Sequence, residues 1–261
     1  MTDTATLLLH GLGGCSEDWL GAAADLSGKA LVPDAPYHGG RPGEGPLDFR
    51  ALAEDAVRQL DKAGLASATV AGISMGAATA ITMASLVPHR VRSLLLVAPA
   101  WLDTPFPANL KRLRKLGRII ATYGLPHAWQ VSAILPPVAG WQPADRERLA
   151  ARFAGFDPVA VAAALLDLPG ELPVIDRVAL AGFRGRTMVT GWLDDPIHPV
   201  DLAMRTSALF DAGPPLIVRR PLDRATEQDL LADWVRMAHA LAERPDVVGA
   251  AADAGTAGRT G

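Results

Sequence analysis

The sequence predicts an α/β fold with a mostly parallel sheet and an inserted helical cap. Short β-branched or leucine-rich runs alternate with longer segments of helical period, which is the pattern of parallel strands joined by crossover helices. This alternation stops between Trp101 and Gly185, where helical signals continue without a clear strand. The length of 261 residues and the hydrophobic fraction of 49% suit one large domain that carries such an insertion.

The predicted elements follow from local patterns along the chain. Strands are predicted at 5–10, 30–33, 68–72, 93–98, 187–191 and 215–219, and core helices at 49–60, 76–86, 200–210 and 228–242. In the first of these helices, apolar residues recur at steps of three and four, with charged residues on the opposite side. Right-handed crossovers place the carboxyl ends of all strands along one edge, where ligands bind in open α/β sheets.

The chain divides into a core, a cap and a tail. We expect residues 1–100 and 186–245 to form the core and residues 101–185 the cap. Inside the cap, Asp157-Pro158 predicts the start of a helix over 159–168, and Gln142-Pro143 predicts one over 144–153. Residues 246–261 lack periodicity and are poor in large apolar side chains, so we predict a disordered tail.

Composition excludes several classes of function. The net charge of -3 gives no basic excess for tracking nucleic-acid phosphates. A single cysteine, Cys15, and the lack of a signal-peptide pattern at the start favour a cytoplasmic protein. Residues 63–88 are uncharged and long enough to span a bilayer, but their glycine, serine and threonine content argues against membrane insertion.

The motif that carries chemistry is Gly72-Ile73-Ser74-Met75-Gly76, between a predicted strand and a predicted helix. This is the strand-turn-helix context of a nucleophile elbow, in which the sharp turn requires small residues two positions before and after the serine. We therefore predict that Ser74 is a catalytic nucleophile, exposed at the base of the largest pocket between the sheet edge and the cap.

A second glycine-rich loop, His10-Gly11-Leu12-Gly13-Gly14, directly follows the first strand. Such a loop lets backbone N–H groups approach a substrate oxygen. We predict that the N–H groups of Leu12 and Met75 form a pair of oxyanion donors and that Gly11 contacts the substrate. His10 itself is predicted to be structural, with a hydrogen bond to the backbone of the loop.

With these landmarks in order, the sequence resembles the α/β-hydrolase superfamily over nearly all of residues 5–243. The resemblance rests on His10-Gly11 after the first strand, on residues 34–39 after the second, on residues 72–76 after the third, and on residues 191–199 after a late strand. It implies a catalytic serine, acid and histidine in that chain order, with the histidine after the last strand. Asp195, which precedes a proline, matches the acid position, and Asp194 is its substitute.

The expected histidine is missing from the loop after the last strand, where the chain carries Arg224 instead. His198, three residues after Asp195, is the best replacement as a general base, and His127 in the cap is another candidate that would overhang the pocket. A guanidinium cannot accept the serine proton, but Arg224 would suit a substrate carboxylate or an enolate.

The cap also carries cationic and aromatic residues. Lys111, Arg112, Arg114, Lys115 and Arg118 alternate with apolar residues, a pattern typical of a solvated helix face. The alternative is a docking surface for an acyl carrier protein, for the phosphates of coenzyme A or for a membrane surface. Four tryptophans, Trp101, Trp129, Trp141 and Trp192, are candidates either for an apolar substrate pocket or for core packing.

The predicted function is that of an enzyme without cofactor or metal that acts through Ser74 on an ester, thioester or lactone of an apolar small molecule. Two alternatives follow from the missing histidine. One is a non-hydrolytic elimination, cyclisation or isomerisation in the same pocket. The other is a ligand-binding pseudoenzyme on the same scaffold.

Overall fold

The computed structural model describes residues 5–43, 45–132, 147, 151, 155–184 and 186–243. Six strands form one parallel sheet: β1 (Thr6–Leu9), β2 (Ala30–Leu31), β3 (Ala68–Ile73), β4 (Val91–Val97), β5 (Thr187–Trp192) and β6 (Leu216–Val218). Their order across the sheet is β2-β1-β3-β4-β5-β6, and every neighbouring pair is parallel. All six predicted strands are confirmed.

The helices among the described residues are α1 (Leu20–Ala24), α2 (Phe49–Lys62), α3 (Met75–Leu86), α4 (Lys111–Tyr123), α5 (Leu125–Ser132), α6 (Pro158–Asp167), α7 (Arg177–Ala181), α8 (Val200–Phe210) and α9 (Arg224–Ala242). Residues of α2, α3, α7 and α8 pack in one core cluster against one face of the sheet. Residues of α1 and α9 pack in a second cluster on the other face. Both faces of the sheet are therefore covered, which explains why its central strands are almost wholly apolar.

The last helix begins earlier than predicted. The sequence pattern placed its start at Gln228, but α9 starts at Arg224, because the Asp223 side chain accepts a hydrogen bond from the Thr226 N–H at 2.8 Å and caps it. This corrects the sequence prediction that Arg224 lies in a loop. The loop after β6 is consequently short.

Four helices, α4 to α7, lie in the segment predicted as the cap. The predicted Asp157 cap is present, since its side chain accepts from the Val159 N–H at 2.9 Å at the start of α6. Gly117 lets α4 and α6 approach closely, because an added Cβ there would lie 2.9 Å from Leu165 Cβ. Apart from residues 147 and 151, the helix predicted at 144–153 lies outside the described residues, as does the tail at 246–261.

Candidate active site

Ser74 lies at the carboxyl edge of the sheet, in the turn between β3 and α3. Its backbone has φ 56° and ψ -106°, an unusual conformation for a residue other than glycine. The turn is so tight that a Cβ added to Gly72 would lie 2.2 Å from the backbone of Gly76, and one added to Gly76 would lie 2.2 Å from Leu9 O. The sequence of the elbow thus has glycines at the two positions where the backbone leaves no room.

The glycine-rich loop after β1 lies beside this elbow. An added Cβ on Gly11 would lie 3.6 Å from Ser74 Cβ, which places the loop within contact distance of the serine. The backbone N–H groups of Leu12 and Met75 donate no hydrogen bond to an acceptor within the described part of the chain. Both groups are therefore available to donate a hydrogen bond to a substrate oxygen.

The loop after β5 brings Asp195 and His198 to the same edge. His198 Nε2 lies 2.9 Å from Ser74 Oγ, and His198 Nδ1 lies 2.9 Å from Asp195 Oδ2. Because an ionised carboxylate only accepts hydrogen bonds, Nδ1 carries the proton, and in the neutral ring Nε2 is left as an acceptor for the serine hydroxyl. Three side chains from two distant parts of the sequence form one continuous line of hydrogen bonds.

Asp195 is held ionised by its own loop. Its Oδ1 accepts from the backbone N–H groups of Ile197 at 2.8 Å and His198 at 3.2 Å. Burial would raise the pKa of this carboxyl, but the hydrogen bond and charge of His198, the Ile197 N–H and the charge of Arg220 together lower the pKa to about 2. The tight turn between Asp195 and His198 orients the carboxylate and the imidazole at once. Asp194, the predicted substitute acid, is exposed and pairs with Arg219.

Asn109, which the sequence analysis did not single out, fastens this loop. Its side-chain amide donates to Ile197 O at 2.7 Å and to Ala100 O at 3.2 Å. It therefore ties the loop after β5 to the loop after β4. A lone asparagine gives no signal of such a role in a sequence.

Two histidines near the site have structural contacts. His10 Nδ1 donates to Gly11 O at 2.9 Å, and its Nε2 accepts from the Ala35 N–H at 2.9 Å, so it fixes the glycine-rich loop as predicted. His38 is buried and donates through Nδ1 to Pro36 O at 2.8 Å. Burial, together with the neighbouring charge of His10, lowers the pKa of His38 to about 3, so its ring is neutral.

Three residues predicted to contact substrate have no described contact with Ser74. Trp192 is 2% exposed and packs against Trp234, with ring centroids 5.1 Å apart. His127 is exposed on α5 beside Tyr123, and the Arg224 guanidinium contacts Glu227, Glu17 O and Asp18. No hydrogen bond or ring contact found for the described residues joins any of these three side chains to Ser74, and their contact with substrate stays a prediction.

Of the other three tryptophans, one lies in the core and two cannot be placed from the described residues. Trp101 is 1% exposed, and its Nε1 donates to Leu168 O at 3.2 Å, which is a core position. The side chain of Trp129 and the whole of Trp141 lie outside the described residues.

The surroundings of Ser74 differ from the predicted open pocket. Ser74 is only 6% exposed, because Leu12 and the inner face of α4 pack over this edge of the sheet. A cavity of about 360 Å³ lies instead at the opposite edge, lined by Pro88, His89, Arg92, Phe183 and Arg186 among others. A cavity next to Met75 and Gly76 measures about 20 Å³, room for one water rather than a substrate.

Comparison with known proteins agrees with this architecture. A family profile described as the alpha/beta hydrolase fold matches residues 5–117. A thermophilic esterase from Thermogutta terrifontis superposes with a TM-score of 0.72 at 18% identity, over 90% of both chains. The matched family profile, the parallel sheet and the structural neighbours show that the chain has the alpha/beta hydrolase fold.

Two curated relatives match more closely in sequence but over shorter segments. One is a dihydrolipoyllysine-residue acetyltransferase component of an acetoin cleaving system from Pseudomonas putida, 38% identical over 104 residues. The other is an sn-1-specific diacylglycerol lipase from Xenopus laevis, 30% identical over 118 residues. The matches cover 38% and 42% of this chain, and 28% and 38% of the relatives' own lengths. The relatives of this chain therefore include hydrolases and an acyltransferase component.

Two further findings concern the described residues only. None of their helices is long and apolar enough to cross a membrane. They contain no group of three or more histidine, cysteine, aspartate or glutamate side chains that could hold a metal ion.

Proposed function

We propose that this chain is a serine-dependent hydrolase that forms an acyl-enzyme on Ser74. The observation that carries the proposal is the line of hydrogen bonds from Ser74 Oγ through His198 to Asp195, with 2.9 Å at each step. A base within about 3 Å of the hydroxyl makes the serine a competent nucleophile. His198 thus supplies from the loop after β5 what the resemblance led us to expect after β6.

In the proposed reaction, Ser74 Oγ attacks the substrate carbonyl carbon while its proton passes to His198 Nε2. The oxyanion that forms is stabilised by the N–H groups of Leu12 and Met75. The imidazolium, stabilised by Asp195, then gives its proton to the leaving oxygen or sulfur as that bond breaks. Water, activated by the same His198 nitrogen, hydrolyses the acyl-enzyme and releases the acid.

The side chains around this site favour an apolar acyl group. Met75 and Leu12 belong to an apolar cluster with Leu110, Leu113 and Ile197 between the sheet edge and α4. The apolar character of these side chains supports an ester, thioester or lactone with an apolar acyl part as substrate. A contact between Ser74 and a base also favours acyl transfer over the elimination, isomerisation and pseudoenzyme alternatives, none of which requires it.

The outer face of α4 supports a finer proposal about the substrate's carrier. Lys111, Arg112, Lys115 and Arg118 are exposed there, and none of them forms an ion pair within the described residues. No acidic residue occurs between Asp103 and Asp145. An anionic carrier of the acyl group, whether the phosphates of coenzyme A or an acidic carrier protein, would be attracted to this face.

Labelling by a fluorophosphonate probe tests the proposed nucleophile and base. Intact-mass measurement should show one probe bound per chain, located at Ser74 and absent in Ser74→Ala. The labelling rate should fall by roughly 100-fold to 10,000-fold in His198→Ala, because the hydroxyl then lacks its base. An intermediate loss is expected for Asp195→Asn, which removes the charge that orients and stabilises the imidazole.

The control variant is His89→Ala, which removes an exposed histidine on the far side of the sheet and should label at the parental rate. Parental labelling in Ser74→Ala or in His198→Ala would disprove the proposal. Loss of labelling in His127→Ala, with retention in His198→Ala, would assign the base to the cap instead.

A further inference from the structure

The line from Ser74 to Asp195 continues into a row of alternating charges. Arg220 Nη1 lies 3.9 Å from Asp195 Oδ2, and the same guanidinium holds Glu227 Oε1 through Nη2 at 2.8 Å and Nε at 3.0 Å. Glu227 Oε2 accepts from Arg224 Nη1 at 3.2 Å, and Arg224 Nη2 lies 3.4 Å from Asp18 Oδ1. We call Asp195, Arg220, Glu227, Arg224 and Asp18 the charged row.

The row ends at the loop that carries the oxyanion donors. Asp18 Oδ2 accepts from the Cys15 N–H at 3.3 Å, and Asp18 O accepts from the Gln228 side-chain amide at 2.8 Å. One end of the charged row is therefore Asp195, the carboxylate that orients His198. The other end contacts the loop containing Leu12.

The burial of the row indicates that its charges act strongly on one another. The side chains of Asp195 and Glu227 are 6% and 4% exposed, and that of Arg220 is 23% exposed. Buried ion pairs lose much of their attraction to desolvation, so a row of this kind is poor evidence for a gain in stability. Charges that lie this close together and are shielded from water do, however, shift the pKa values of neighbouring groups.

Arg220 and His198 contact the same oxygen of Asp195. The Asp195 oxygen that lies 3.9 Å from Arg220, Oδ2, is the same atom that accepts from His198 Nδ1. The arginine and a protonated His198 therefore compete for one negative charge, and Arg220 disfavours the imidazolium. Glu227, fixed between Arg220 and Arg224, opposes this effect by neutralising part of the arginine charge.

We propose that Arg220, held in place by Glu227, is a positioning residue that sets the basicity of His198 through Asp195. The inference rests on the proposed function, in which His198 is the general base. It also accounts for the loop after β6, where the resemblance led us to expect a histidine. There, Arg220 and the start of α9 support the base on the neighbouring loop.

Other charged groups near the row are exposed and screened. Asp194 and Arg219 form a pair at 3.6 Å, and their side chains are 80% and 78% exposed. Asp201 at the start of α8 is 77% exposed and lies 3.9 Å from Arg205. Exposed pairs of this kind contribute little. Within the described residues, Arg220 is thus the arginine that lies within 4 Å of Asp195, and Glu227 and Arg224 are linked to Asp195 through it.

The test is an NMR titration of His198 in the full-length protein, with its ring signal assigned from the spectrum of His198→Ala. Arg220→Gln removes the competing cation, so the titration midpoint of His198 should rise by at least about half a pH unit. Glu227→Gln leaves two arginines without their shared carboxylate, so the midpoint should fall by a similar amount. A role confined to packing would not move the midpoint in opposite directions.

Two further variants complete the design. Arg220→Lys keeps the charge without the planar fork, and it should restore most of the parental midpoint. Arg219→Gln removes the adjacent exposed arginine and is the matched control, with a parental midpoint expected. Should Glu227→Gln fail to fold, the Gln and Lys variants at position 220, where the side chain is partly exposed, still decide the question.

The outcomes distinguish failure of the role proposed for Arg220 from failure of the proposed serine hydrolase function. A parental midpoint in Arg220→Gln, or a shift of the same sign in both Gln variants, would overturn the role of the charged row. If the parent protein is labelled at Ser74 while the midpoints do not move, only the inference fails. If the midpoints move as expected but Ser74 is not labelled, the charged row acts on His198 and the proposed function is wrong.

Discussion

Ser74 is held in a backbone conformation that costs free energy, of the order of 1 to 3 kcal/mol for a residue other than glycine. The surrounding hydrogen bonds hold it there. The Ser74 N–H donates to Val97 O at 3.0 Å, and Ser74 O accepts from the Ala77 N–H at 3.1 Å. The strain aims the hydroxyl at His198, and it persists only because the turn on either side is built from glycine.

Gly76→Ala should therefore damage both fold and site. The added Cβ would lie 2.2 Å from Leu9 O and 2.9 Å from His10 O, and backbone atoms of the sheet and the glycine-rich loop cannot move aside as a side chain does. We expect a loss of roughly 1 to 3 kcal/mol in the free energy of unfolding, measured in urea, as in other overpacked sites. Labelling of Ser74 should slow at least tenfold, since the elbow and the loop that carries Leu12 must separate.

The control is Gly40→Ala, where an added Cβ meets nothing within 4 Å. Its stability and labelling rate should equal those of the parent. Parental behaviour of Gly76→Ala would contradict the close packing of the elbow against β1.

The helix α4 has two chemically different sides. Its inner side chains Leu113, Leu116 and Ile120 pack in clusters that also contain Leu12, so the helix closes over the glycine-rich loop after β1. Its outer side carries the four exposed cations described above. The helix thus has an apolar side toward the glycine-rich loop and a cationic side toward solvent.

Charge reversal on that outer face tests the proposed anionic carrier. Lys111→Glu, Arg112→Glu and Lys115→Glu combined should lower kcat/KM for a carrier-linked thioester at least tenfold, because attraction becomes repulsion. The deficit should shrink in about 1 M salt, where the screening length is about 3 Å. Hydrolysis of a small neutral ester should be unchanged. Assays with acyl-coenzyme A and with an acidic carrier protein as separate substrates tell the two sources apart.

A matched triple variant, Arg50→Glu, Lys62→Glu and Arg177→Glu, changes the net charge equally at exposed positions outside α4. It should keep the parental kcat/KM for every substrate. An equal loss in both triple variants would show that net charge alone is responsible, and no loss in either would exclude the cationic face as a docking surface.

At the scale of the whole molecule, the buried neutral His38 makes stability depend on pH. The pKa of His38 is lowered to about 3 in the folded protein, from about 6.5 in the unfolded chain. Between these values the unfolded state binds a proton that the folded state does not. Stability is therefore complete above pH 6.5 and is lost progressively as the pH falls toward 3.

His38→Gln removes this proton uptake. Between pH 6 and pH 5 the parent should lose about 1.2 kcal/mol more of its free energy of unfolding than the variant does, as measured by urea unfolding at each pH. His89→Gln, which replaces an exposed histidine, should keep the parental slope. Equal slopes in the parent and in His38→Gln would mean that the His38 ring titrates normally in the folded protein.

The strands, the bounds of four of the helices and the position of the elbow could be predicted from the sequence. Local patterns suffice for these features: apolar runs mark buried strands, and glycines flank Ser74 because the turn excludes a Cβ at those positions. The start of α9 was missed by four residues. Its signal, the Asp223 cap, lies before a first turn without apolar periodicity.

Which side chains meet at the site could not be predicted from the sequence and depends on the packing of the loops. Ser74 and His198 lie 124 positions apart, and their 2.9 Å contact depends on the order β3-β4-β5 and on the turn that Asp195 and Asn109 fix. The sequence left two histidines, His198 and His127, and the arginine Arg224 as alternatives, because residue type and spacing do not give distances between loops. The same reason hid Glu227, because its contact with Arg220 joins α9 to the loop after β6. Its contact with Arg224 is a pair three residues apart within α9.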